Sequence, residues 1–134
     1  MDTEKVRIYT DGSCTPNPGK GGWAAYLVCG DAKKLIKGNS GDEQSTNNRA
    51  ELMAMIIGLE ALKRPCKVQI ISDSQYAVNM GSGNWNPSSN HDLINRIEEL
   101  CQQHEVKFTW KREFTLPEQT IVHNTAERES GGMR

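Results

Sequence analysis

No part of this chain approaches the roughly 18 consecutive apolar residues that a membrane-spanning helix requires. The first residues, Met1-Asp2-Thr3-Glu4-Lys5, contain no apolar segment of the kind a secretory leader carries. The expectation is therefore a cytoplasmic protein without membrane association. Cysteine is sparse: Cys14, Cys29, Cys66 and Cys101 show no C-x-x-C spacing. That argues against a zinc site or a disulfide framework and for reduced thiols. An excess of positive charge is also lacking, because 16 Lys and Arg face 17 Asp and Glu for a formal net charge of -1. Bulk charge thus does not announce a polyanion binder. There are no internal repeats or low-complexity tracts. The 134 residues read as a single domain, 1–134, large enough to bury a core without staples, and a monomer is expected.

What the chain does contain is three well-separated carboxylates in settings that point them at one place. Asp11 closes the alternating run Lys5–Thr10 and is expected to open a turn, Asp11-Gly12-Ser13. Asp73 closes Lys67–Ser72 in the same way, ahead of Ser74-Gln75. Glu51 falls in the first turn of a helix predicted over about 48–63, whose Leu52, Met53, Ile56, Ile57 and Leu59 form an apolar stripe ended by Pro65. Carboxylates gathered at strand ends repel one another unless a cation holds them, and hard divalent cations prefer oxygen ligands.

The remaining pattern supplies a frame. Strands are expected at 22–29 and near 34–38, joined by a hairpin at Gly30-Asp31, and again at 67–72 and 106–110. Helices are expected at 75–80 and 92–103, and a short one near 123–130 broken by Gly131-Gly132. Three strands on short links favour an antiparallel meander, and the later strand–helix–strand steps favour right-handed parallel crossovers. The fold class is α/β, with a five-stranded mixed sheet flanked by helices. If the first and fourth strands are parallel neighbours, Asp11 and Asp73 emerge side by side at the carboxyl edge, where such sheets place functional groups.

Each residue alone has a plainer reading. Asn48-x-x-Glu51 could be a capping box, and Asp11-Gly12 or Asp73-Ser74 could be ordinary turn residues. Gly19 through Gly22 is better read as a tight connection between strands than as a phosphate cradle, and Trp85 as packing on the sheet. Cys29, Cys66 and Cys101 read as small filler side chains.

Together, the segments Thr10-Asp11-Gly12-Ser13-Cys14, Asn17-Pro18-Gly19, Gly21-Gly22-Trp23, Thr46–Leu52, Ser72–Tyr76 and Asn90-His91-Asp92-Leu93 resemble the motifs of type 1 ribonuclease H. The resemblance covers roughly residues 5–112. It implies the RNase H-like fold and an endonuclease that cuts the RNA strand of an RNA–DNA hybrid, leaving 3′-hydroxyl and 5′-phosphate ends. Two Mg²⁺ ions, with Mn²⁺ as substitute, are implied as cofactors. Asp11, Glu51 and Asp73 match three of the family's four metal-binding acids. Substrate contacts are implied for Gly12, Cys14, Asn17, Asn47, Asn48, Gln75 and Asn90, since amides both donate and accept, as a 2′-hydroxyl does.

Three departures from the family pattern stand out. The fourth acid, usually Asp, is matched by Glu127 in His123-Asn124-Thr125-Ala126-Glu127, one methylene longer. The segment 111–122 lacks the histidine that many relatives carry in a loop, which leaves His123 as a candidate for product release or for support of the site. Residues 81–91 contain no Lys or Arg, so the basic protrusion of many bacterial relatives is absent and weaker hybrid binding is expected, with an appended domain or separate partner as one source of affinity. The alternatives left open are a hybrid-binding module that has lost catalysis and a DNA nuclease of the same fold.

Overall fold

A computed structural model describes residues 4–131. Three strands, β1 (Glu4–Thr15), β2 (Lys20–Cys29) and β3 (Ala32–Asn39), form an antiparallel meander. Helix α1 (Asn47–Glu60) leads to β4 (Cys66–Ser72). Helices α2 (Gln75–Gly81) and α3 (His91–Cys101) precede β5 (Glu105–Trp110), and α4 (Pro117–Ser130) follows. The sheet order is β3-β2-β1-β4-β5, with β4 parallel to both β1 and β5. Among the described residues, no helix is long and apolar enough to cross a membrane.

Strand alternation divides the core between two layers. Val6, Ile8, Ala25, Leu27, Val68 and Ile70 face α1 and α3, meeting Leu52, Met55, Ile56, Leu59, Ile97 and Leu100. Tyr9, Ala24, Val28 and Ile71 point the other way, onto Val122 and Ala126 of α4. Burying each such Leu or Ile contributes about 1.5–3 kcal/mol. Helix α1 is capped by Thr46, whose Oγ1 accepts from the Arg49 amide at 3.2 Å. Glu51 therefore lies beyond the first turn, and the capping-box reading of Asn48 and Glu51 does not hold.

Asp11-Gly12-Ser13 is no turn: β1 runs on, pairing with β2 as far as Thr15↔Lys20. The reversal falls instead in Pro16-Asn17-Pro18-Gly19, tied to the rest of the chain where Gly19 and Ser45 exchange backbone hydrogen bonds of 3.1 and 2.6 Å. The last helix begins at Pro117 rather than near 123. Proline suits the first helical position because it has no N–H to leave unpaired, and Gln119 Oε1 accepts from the Leu116 amide at 2.9 Å. Val122, Ala126 and Ser130 then form one buried stripe, and Gly131, at φ 83°, ends the helix. Gly132 lies outside the described residues. Trp85 is 46% exposed.

Candidate active site

The register of β1 and β4 sets the centre of the site. Their last parallel pair is Thr10↔Ser72, so Asp11 and Asp73, one residue on, stand side by side where β4 ends and β1 continues along β2 alone. The Asp73 backbone is pinned, because Trp110 Nε1 donates to its carbonyl at 2.9 Å and the Lys111 amide donates to Ser72 O at 3.0 Å. Glu51 arrives from α1, which crosses β1 at Gly12. A Cβ on Gly12 would overlap the backbone of Ala50 and Glu51, so only glycine permits this approach. The Gly12 amide donates to Glu51 Oε1 at 2.6 Å and to Asp11 Oδ1 at 2.9 Å. One carboxylate oxygen from each of Asp11, Glu51 and Asp73 lies within 4.8 Å of the others.

Helix α4 closes the other side. It packs against β2 at Gly22, where a Cβ would overlap the backbone of Ala126 and Glu129-Ser130. This seating brings His123 and Glu127, one turn apart, over the acid trio. His123 thus lies within α4, well past its start. Its Nδ1 is 3.1 Å from Asp11 Oδ2 and 3.7 Å from Glu113 Oε1, and its Nε2 is 3.6 Å from Glu127 Oε1. The Phe114 ring meets the imidazole edge-on at 4.9 Å. Glu113, just after β5, lines the same cleft and was not anticipated as a site residue. The signal available for it was its place in Arg112-Glu113, directly after the last strand.

The electrostatics follow from crowding like charges in a partly dry place. Burial, followed by the charges of Asp11 and Asp73, pushes Glu51 well above the usual carboxylate range. Burial, then Asp11 and Glu113, raises Asp73 to about 7. Asp11, 6% exposed, is raised by burial even though Glu51, His123 and the Gly12 amide hold it down. Among the described residues no Lys or Arg pairs with any of the three, and His123 is the one basic group that does. Three converging hard oxygen donors without a protein cation fit a divalent metal ion.

The expected substrate contacts occupy varied positions. Gly12, Cys14 and Asn47 line the cleft. Cys14 is buried, with its thiol directed to the Pro16 carbonyl at 3.3 Å. Asn17 Oδ1 accepts from the Asn47 amide at 3.2 Å, joining the β1–β2 reversal to the start of α1. Asn48 and Gln75 are exposed, on α1 and at the start of α2. Asn90, at φ 60° before α3, spends its amide within the protein, accepting from Arg49 Nη1 at 3.1 Å and donating to Tyr76 Oη at 2.8 Å.

A family model described as RNase H matches residues 3–112. The chain belongs to the RNase H family. Among curated relatives, a ribonuclease H of Chlorobium phaeobacteroides (strain BS1) is 49% identical over 119 residues, covering 78% of this chain and 80% of that protein. A ribonuclease H of Pseudomonas fluorescens (strain Pf-5) is 43% identical over 126 residues, covering 84% and 83%. Among solved structures, RNase H1 of Halobacterium salinarum superimposes with a TM-score of 0.78 at 25% identity over 93% of this chain and 96% of that one. LC11-RNase H1, solved in complex with an RNA/DNA hybrid, shares the fold at a TM-score of 0.77 and 19% identity, over 92% and 97%. The family match ends before α4. His123 and Glu127 therefore lie outside the matched residues.

Proposed function

We propose that this protein hydrolyses the RNA strand of RNA–DNA hybrids at the cleft between the β1/β4 edge, α1 and α4, leaving 3′-hydroxyl and 5′-phosphate ends. The observation that carries the reading is the convergence of Asp11, Glu51 and Asp73 from three separate elements, in a chain of the RNase H family.

Asp11, Glu51 and Asp73, with Glu127 as the fourth acid, would hold two Mg²⁺ ions or Mn²⁺ in their place. Such a pair supplies an activated water and stabilises the leaving oxygen in an in-line displacement. The chain's own groups prepare the acids for this. The Gly12 amide fixes Glu51 and Asp11 together, and His123 holds the second oxygen of Asp11. No side chain needs to act as a nucleophile. Selectivity for RNA rests on the 2′-hydroxyl, read by the exposed amides of Asn47, Asn48 and Gln75. Gly12, Cys14 and Asn17 shape the cleft wall and the loop beside it, and Asn90 sets the start of α3.

One observation favours a second reading, a hybrid binder with weakened catalysis. Glu127 lies against His123 Nε2 and is outside the trio whose oxygens converge. Cleavage of matched RNA–DNA, DNA–DNA and RNA–RNA duplexes, in Mg²⁺ and in Mn²⁺, separates the readings. Turnover of the hybrid alone supports the proposal. Cutting of duplex DNA, or tight hybrid binding without turnover in either metal, would contradict it.

A further inference from the structure

Helix α4 covers its sheet face down to Val28 of β2, and past its edge Arg7, Lys33 and Lys107 are exposed. The strand register places a row of residues directly abreast there: Lys33 on β3, Val28 on β2, Arg7 on β1, Gln69 on β4 and Lys107 on β5. Residues directly opposite in a ladder share one face of the sheet, so three cations lie on this face at every second strand. With neighbouring strands about 4.8 Å apart, they are spaced by about 10 Å. The next row below holds Lys5, Lys67 and Glu105. Lys5, Arg7, Lys67, Gln69, Glu105 and Lys107 line an open groove of about 700 Å³, and Lys33 continues the row beyond it on β3.

The groove concentrates one sign of charge in a chain of net charge -1. Lys5 and Lys67 are in direct register, an arrangement that like charges disfavour. The only acid in the two rows is Glu105, 4.0 Å from Lys67 Nζ. Among the described residues, Lys5, Arg7, Lys33 and Lys107 have no acidic partner within ion-pair distance. Arg7 instead lies 6.0 Å from the centre of the Tyr9 ring. A nucleic-acid strand carries one negative charge per nucleotide, so a row of cations about 10 Å apart offers repeated contacts to its backbone. β1 joins this groove to the cleft, with Asp11 four residues beyond Arg7, about 13 Å along the strand.

We infer that this basic face binds the phosphate backbone of a single-stranded nucleic-acid segment flanking the hybrid, and so supplies cationic contact that residues 81–91 lack. The inference rests on the hybrid-cleavage reading for the presence of a strand near the cleft, but the groove's binding is measured without turnover. A protein partner with an acidic segment is the competing occupant. The array's even spacing and the polyanionic substrate already assigned to the molecule favour the strand.

The test uses the full chain carrying Asp11→Asn. It measures binding to a short blunt hybrid and to the same hybrid with a single-stranded extension of about 15 nucleotides, across a salt series. The extension should tighten binding. The triple variant Arg7→Gln/Lys33→Gln/Lys107→Gln should abolish that gain and flatten the log K against log salt slope for the extended substrate by about 2, as three contacts to a single strand require. The control Lys34→Gln/Lys63→Gln/Arg64→Gln, with equal charge removed away from the groove, should retain the gain. In the background with Asp11 intact, the groove variant should cut the blunt hybrid at the wild-type rate. The inference is overturned if the extension gives no gain, if both triple variants lose it equally, or if an acidic peptide of equal charge outcompetes the strand at the groove. Failure of the intact enzyme to cut the blunt hybrid would sink the hybrid-cleavage reading and leave the groove measurement standing.

Discussion

At the scale of single residues, Gly12 does more than its size suggests. Its missing Cβ lets α1 cross β1, and its amide holds two of the three acids. Gly12→Ala should destabilise the fold by about 1–3 kcal/mol through overpacking and reduce activity by more than the loss of folded protein explains. Urea denaturation beside an active-site titration separates the two effects. His123 is the other pivotal residue. A hydrogen bond to a charged group is worth about 1.5–3 kcal/mol, so His123→Ala should lower the cleavage rate by roughly tenfold or more, with folding intact by circular dichroism. Glu127→Gln distinguishes the fourth acid from a bystander, since an unchanged rate would remove it from the site. The trio was legible in the sequence because each acid sits inside a spaced motif. Glu113 is less legible, because its place after the last strand is a weak signal and its position in the cleft arises only where the chain past β5 meets α4.

At the scale of elements, the same contrast explains which boundaries could be read. Helix α1 carries apolar residues at helical spacing, and β4 alternates polar Lys67 and Gln69 with apolar Val68 and Ile70, so both are recognisable from pattern alone. The extension of β1 through Thr15 depends on β2 offering partners across nine registered pairs, which is tertiary information. The first turns of α4 are polar outside, and their buried side consists of only a few residues, among them Gln119 and Val122, too weak a stripe to announce a helix start at Pro117. Asn90 illustrates how elements are tied together. Its amide links the start of α3 to Arg49 of α1 and Tyr76 of α2, and its left-handed backbone suits Asn or Gly. Asn90→Gly should keep the backbone and lose the links, whereas Asn90→Ala should lose both and be the less stable of the two in thermal melts. Beside it, Arg49 grips Asp92 at 2.8 Å and holds that carboxyl at about 2. Asp92 contributes above the ordinary carboxylate range and loses that contribution as pH falls toward 2. Because the pair is largely exposed, its worth is under about 1 kcal/mol.

At the scale of the whole molecule, the acid cluster makes stability depend on pH and metal together. Asp73 is raised to about 7, and Glu51 and Asp11 are raised as well. A carboxyl raised on folding keeps a proton that the unfolded chain has already released. Its stabilising contribution is complete below the ordinary carboxylate pKa of about 4 and is lost as pH rises through the folded value. The metal-free protein should therefore lose thermal stability between about pH 4 and pH 7. Mg²⁺ or Mn²⁺ should raise Tm strongly at pH 8 and little at pH 5, where protons compete for the same oxygens. A metal-induced shift that is equal at both pH values would contradict this. The basic groove and the acidic cleft also give the molecule opposite charge at the two ends of β1, a polarity hidden by its near-neutral total.

The central claim is that carboxylates from β1, α1 and the β4 edge form one site that cuts RNA paired with DNA. The most direct measurement is single-turnover cleavage of a hybrid labelled on each strand, in Mg²⁺ and in Mn²⁺, comparing the native chain with Asp11→Asn and Asp73→Asn. Only the RNA strand should be cut, with each substitution slowing cleavage by about three orders of magnitude, roughly 4 kcal/mol of lost transition-state stabilisation. Cleavage of the DNA strand, or a native rate in either variant, would contradict it.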